Sequence, residues 1–85
     1  MTKKNIQIKL EKGQEARRIA LLVQEASKYE SKIYIEEASK RVNAKSIMGM
    51  MSLSIDAGAE VTVTAEGVDE QEAVDAIEKF LKGSV

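Results

Sequence analysis

Few residues in this chain can do chemistry, and one of them is well placed. Ser46 stands directly before the apolar run Ile47-Met48-Gly49-Met50-Met51-Ser52-Leu53. That is the position of a helix N-cap, where a hydroxyl accepts a backbone N–H and contributes roughly 1 kcal/mol. The same hydroxyl can carry a phosphate. A helix N-terminus meets its charge of roughly −1.5 to −2 with unpaired N–H groups and the positive end of the dipole. The remaining catalytic repertoire is short. The chain has no His and no Cys, which removes the common general base, thiolate chemistry, most transition-metal sites and any phosphohistidine. Carboxylates and Lys are left, and they form no carboxylate pair, nucleophile–base pair or Gly-rich phosphate loop at a useful spacing. The sequence therefore predicts a non-enzyme without metal or cofactor.

The apolar residues after Ser46 divide by angle. At about 3.6 residues per turn, Ile47, Met48 and Met51 fall within about 100° of one another, and Met50 and Leu53 centre roughly 140° away. A short helix on a two-layer domain buries one stripe. Met50 and Leu53 are the expected core pair, which leaves Ile47, Met48 and Met51 as an exposed patch beside the serine. The blander alternative buries all five, with Met filling gaps. Upstream, Glu15 suits the positive end of a helix dipole, whereas Arg17 and Arg18 oppose it and so point to a use other than helix stability.

The elements that must position these residues follow from periodicity. Ile6, Ile8 and Leu10 alternate with polar residues over Asn5–Leu10, as in a half-buried strand, and Gly13 punctuates the turn after it. Ala16, Ile19, Ala20, Val23 and Ala26 recur at helical spacing between Ala16 and Lys28. Ile33 and Ile35 predict a strand over Lys32–Glu36, followed by a polar turn at Glu37–Lys40 and a short strand over Arg41–Asn43. Asp56-Ala57-Gly58 reads as a turn, and Val61, Val63 and Ala65 give a strand over Glu60–Ala65, closed by Gly67. Asp69 with Glu72 resembles a capping box for a last helix that carries Ala73, Val74, Ile77, Phe80 and Leu81 on one face and ends at Gly83. The order is β-α-β-β-α-β-α. The expected fold is α+β: a two-layer, open-faced β-sandwich with a four-stranded antiparallel sheet and three helices on one face.

Composition agrees with a globular chain. The 85 residues, 44% hydrophobic and 32% charged, predict one domain over residues 1–85. A net charge of −1 lacks the basic footprint of a nucleic-acid or membrane binder. No apolar run reaches the about 18 residues of a membrane span, and the opening residues lack a signal peptide's apolar stretch, so a cytoplasmic location is expected.

The segment Val42-Asn43-Ala44-Lys45-Ser46-Ile47-Met48-Gly49-Met50-Met51-Ser52-Leu53 closely resembles the regulatory segment of the HPr family, phosphocarriers of the bacterial sugar phosphotransferase system. Gly13-Gln14-Glu15-Ala16-Arg17-Arg18 lies where that family has its motif Gly-Ile/Leu-His-Ala-Arg-Pro, and the resemblance runs over the whole chain. Glu15 stands at the position of the phosphorylated His, and Arg18 at that of the Pro. A carboxylate is weakly nucleophilic near neutrality and its acyl phosphate hydrolyses readily, which argues against a sugar-transport relay. The sequence looks like the regulatory branch of the family that lacks the His and keeps the serine segment, with Glu where Gln would be expected. Glu15 is then a helix-start anion, a remnant of a lost site, or a standing mimic of phosphohistidine.

That resemblance implies phosphorylation of Ser46 by HPr kinase/phosphorylase. It further implies docking of Ile47, Met48 and Met51, with Arg17 and Lys45 as a polar rim, on a transcription regulator resembling catabolite control protein A, as corepressor in carbon catabolite control. The alternative function is a phosphocarrier, natural or altered at position 15. No direct contact with nucleic acid or membrane is implied, and the assembly is a monomer or a strand-swapped homodimer.

Overall fold

Alternating residues build strands at Thr2–Gln7 (β1), Lys32–Glu37 (β2), Lys40–Asn43 (β3) and Glu60–Glu66 (β4). Helical spacing builds Glu15–Ala26 (α1), Ile47–Met51 (α2) and Glu70–Leu81 (α3). The computed structural model describes residues 1–9, 15–53 and 58–83. Its element order is the β-α-β-β-α-β-α expected from the sequence. The strands form one antiparallel sheet in the order β1-β4-β2-β3. β4 is central, paired with β1 from Thr2↔Ala65 to Gln7↔Glu60 and with β2 from Lys32↔Glu66 to Glu36↔Thr62.

One face of the sheet supplies Ile6, Ile33, Ile35, Val61, Val63 and Ala65 to the core, and the helices close over it with Ile19, Leu22, Ala26, Met50, Ala73, Val74, Ile77 and Leu81. The pleat puts alternate side chains on opposite faces, so Tyr34, Glu36 and Arg41 lie on the other side, where Arg41 stacks 4.3 Å over the Tyr34 ring. Thr64, on that open face, is buried between its cross-strand neighbours Lys3 and Tyr34.

Several boundaries differ from the sequence reading for identifiable reasons. The first strand begins at Thr2 because β4 extends far enough to pair with it, and Ile8 continues the contact through its N–H to the Ala59 carbonyl at 2.8 Å. Leu10, Gly13, Asp56 and Ala57 lie outside the described residues. Helix α1 ends at Ala26, two residues earlier than expected, and buries Leu22, which the periodicity reading had not placed in its stripe. The β2–β3 connection shrinks to Ala38-Ser39, with Ala38 in the left-handed region at φ 54°, because both strands extend one residue into the expected turn. Phe80 is half-buried at the core's margin.

The start of α3 departs from a capping box. Asp69 is the N-cap residue but its side chain makes no cap hydrogen bond. Its carboxylate instead accepts the Glu30 and Ser31 N–H groups at 2.9 Å and the Ser31 hydroxyl, bracing the β2 entry against α3. The Ser31 hydroxyl and the Glu30 N–H together hold the Asp69 carboxyl below the usual carboxylate range. Gly67 makes this approach possible, since a Cβ there would sit 2.6 Å from Ser31 Oγ and 2.7 Å from Ser31 Cα.

Candidate functional site

Helix α2 is launched by the end of β3. Asn43 accepts the Lys45 N–H on its side-chain oxygen at 2.8 Å and the Ser46 N–H on its carbonyl at 3.0 Å, a turn that suits Asn. Ser46 is left extended at φ −105° and ψ 114°, and its Oγ accepts the Gly49 N–H at 3.2 Å. The sequence-predicted N-cap is therefore formed, and the Ser46 side chain is exposed. At the other end, Lys40 Nζ donates to the Ser52 carbonyl at 3.0 Å, placing a cation at the negative pole of the helix.

The apolar residues of α2 separate as their angles require. Met50 is 0% and Leu53 5% exposed, whereas Ile47, Met48 and Met51 are 46%, 82% and 59% exposed. The expected core pair is buried and the expected patch faces outward, beside the serine hydroxyl. The first turn of α2 carries no acidic residue. Among the described residues, the side chain that caps its positive pole is the neutral hydroxyl of Ser46, and a negative charge at that pole is electrostatically favourable.

The flanking cations are placed differently. Arg17 is exposed on the first turn of α1, the helix that packs against α2. Lys45 is half-buried and its ammonium donates to the Tyr29 carbonyl at 2.6 Å, so its charge is anchored to the loop after α1. Arg18 is half-buried, with its Nε enclosed and without an acceptor among the described residues. Glu15 is the first residue of α1, but its side chain lies outside the described residues.

Three residues near the serine carry roles that the sequence reading did not assign them. Gly49 leaves room for the hydroxyl, since a Cβ there would meet Ser46 Oγ and Val42 Cβ at 3.4 Å. Asn43 had a legible signal in the Asn-x-x-Ser spacing ahead of an apolar run. Lys40 had none, because only the hairpin brings it to Ser52. Among the described residues, no group of three or more His, Cys, Asp or Glu side chains could hold a metal ion, and no helix is long and apolar enough to cross a membrane.

A capped serine beside an outward apolar patch, on an antiparallel sheet in the order β1-β4-β2-β3, defines an HPr-like α+β architecture. A family model described as "PTS HPr component phosphorylation site" matches residues 2–83, and the chain belongs to the HPr family. The HPr-like protein Crh of Halalkalibacterium halodurans is 50% identical over 82 residues, which is 96% of this chain and 98% of that one. Among solved structures, the phosphocarrier protein HPr of Bacillus anthracis superposes with a TM-score of 0.89 at 46% identity, covering 94% of this chain and 95% of that chain. The crystal structure of Crh, the catabolite repression protein of Bacillus subtilis, described as a dimer with a swapping domain, gives a TM-score of 0.78 at 44% identity, covering 100% and 98%. The chain is thus similar to both the phosphocarrier and the regulatory members of its family.

Proposed function

We propose that this chain is a regulatory HPr-like protein of the cytoplasm, switched by phosphorylation of Ser46 by an HPr kinase/phosphorylase. In the phosphorylated state it docks on a transcription regulator resembling catabolite control protein A, as its corepressor in carbon catabolite control. The observation that carries this reading is the pairing of an exposed Ser46 hydroxyl with the exposed Ile47, Met48 and Met51 on a helix anchored by Met50. Phosphate would pair with a basic residue of the partner while the three side chains are buried against it. In this reading Arg17 and Lys45 form the polar rim of that surface, a role supported by the exposure of Arg17 and by the Lys45 ammonium holding the Tyr29 carbonyl beside the segment that presents the serine. The absence of any His in the chain, with Glu15 at the family's phosphorylated position, weighs against the phosphocarrier alternative.

An in vitro kinase reaction with mass-spectrometric site mapping tests the modification: phosphate is expected on Ser46 and none on Ser46→Ala. Met48→Ala should be phosphorylated normally and bind the regulator more weakly. Equal affinity of the phosphorylated and unphosphorylated chain for the regulator would end the switch. Label reaching Glu15 from phosphoenolpyruvate through enzyme I would make the chain a carrier instead. In this structure β1 pairs with β4 of its own chain. Sedimentation at several concentrations distinguishes that monomer from a strand-swapped homodimer.

A further inference from the structure

We propose that Met48 and Met51 are sites of reversible oxidation, and that their sulfoxides disable the outward face of α2 while leaving the fold standing. The effect on docking rests on the function proposed above; the site assignment does not.

The chain has four methionines, and the structure sorts them sharply. Met48 is 82% exposed, Met51 59%, Met1 76% and Met50 0%. A peroxide can reach the first three thioethers and is excluded from the fourth. In the reaction the sulfur lone pair attacks one peroxide oxygen, the O–O bond breaks, and the proton on the transferred oxygen passes to the departing hydroxide, which leaves as water. The sulfur is oxidised and gains one oxygen atom, and the peroxide is reduced. The product is polar, so burying it against a partner without a new hydrogen bond is unfavourable.

The helix itself does not depend on the exposed sulfurs. Its hold on the core is Met50 and Leu53, its start is capped by Ser46 Oγ on the Gly49 N–H, and its end is met by Lys40 on the Ser52 carbonyl. Oxidation therefore alters the surface and spares the scaffold. Ser46 and the two methionines lie on the same short segment, so a phosphate that promotes docking and an oxygen that opposes it converge on one face. Met1 supplies an internal control, exposed but tied through its ammonium to Glu70 at the start of α3.

The experiment uses the full chain phosphorylated on Ser46 and treated with hydrogen peroxide. Peptide mass mapping should find added oxygen on Met48, Met51 and Met1, with Met48 ahead of Met51 and Met50 spared. The thermal midpoint should stay unchanged while affinity for the regulator falls about tenfold, returning after treatment with methionine sulfoxide reductases and a dithiol, which is oxidised to its disulfide as the sulfoxide oxygen leaves as water. Whatever affinity the M48L/M51L double variant starts from, peroxide should leave it unaltered. Oxidation of Met50 at the rate of Met48, a lowered thermal midpoint, or undiminished binding by the oxidised chain would overturn the proposal. If the untreated phosphorylated chain fails to bind the regulator, the docking function falls, and the oxidation sites still stand or fall on the mass map.

Discussion

Helices α2 and α3 are both amphipathic, yet they use their two faces in opposite ways. In α3 the apolar face, Ala73, Val74, Ile77 and Leu81, is buried, and acidic Glu70 and Glu72 occupy the first turn. Two of its charges are also engaged: Glu78 pairs with Lys4 at 2.7 Å and Lys82 at 3.0 Å, and Glu70 accepts the Thr2 hydroxyl at 2.6 Å and the terminal ammonium at 2.9 Å. In α2 one methionine is buried, three apolar side chains are displayed, and the first turn holds no acid. The contrast teaches that α3 turns its apolar face inward and pairs charges outward, whereas α2 displays apolar side chains beside a capped, acid-free first turn. Such a surface is what a partner and a phosphate would use.

The largest test of that contrast is truncation on each helix. Ile77→Ala should cost ~2–5 kcal/mol, because Ile77 is fully buried, while Met48→Ala should change stability by less than about 0.5 kcal/mol. Urea unfolding of the two variants measures both, and a comparable loss for Met48→Ala would place the patch in the core. A smaller effect is expected where α3 begins. Gly67→Ala forces a Cβ against the Ser31 backbone, costing ~1–3 kcal/mol by the same measurement.

Acid gives the smallest and most graded test. The Thr2 hydroxyl, the terminal ammonium and the Gly67 N–H lower the Glu70 carboxyl to about 2, and Lys4 and then Lys82 lower that of Glu78. A carboxylate depressed in the folded state stabilises fully above its ordinary value and loses that contribution as pH falls through the folded one. The thermal midpoint should therefore decline between about pH 4.5 and 2, more shallowly in Glu70→Gln, and added salt should blunt the Lys4–Glu78 share. α2 has no such acid in its first turn and should contribute nothing to that decline.

Much of this was legible from the sequence, because the relevant signals are local. Ser46 ahead of an apolar run announced its cap, and the angles about α2 separated Met50 and Leu53 from Ile47, Met48 and Met51. The order of strands and helices along the chain followed from periods of two and of three to four, whereas their order in the sheet, β1-β4-β2-β3, is set by long-range pairing. What escaped reading depends on residues far apart in the chain. Asp69 looked like a cap because Glu72 follows at the right spacing, but Ser31 and Glu30, brought up by β2, compete for its carboxylate and win. The hold of Lys45 on the Tyr29 carbonyl was illegible for the same reason, since only the fold brings that loop beside it. Leu22 escaped because a run of Ala, Leu and Val offers several overlapping stripes, and only the tertiary packing chooses among them.

The pairing of β1 with β4 also governs when the fold can close. The partners of residues 2–7 are residues 60–65, so during synthesis the amino-terminal strand leaves the ribosome long before its neighbour exists. Ile6 waits unpaired through most of translation, and closing so long a loop is slow compared with forming the hairpin between β2 and β3. Crowded polysomes, which hold several nascent copies with open edges side by side, are therefore where one copy's first strand would most readily find another's sheet.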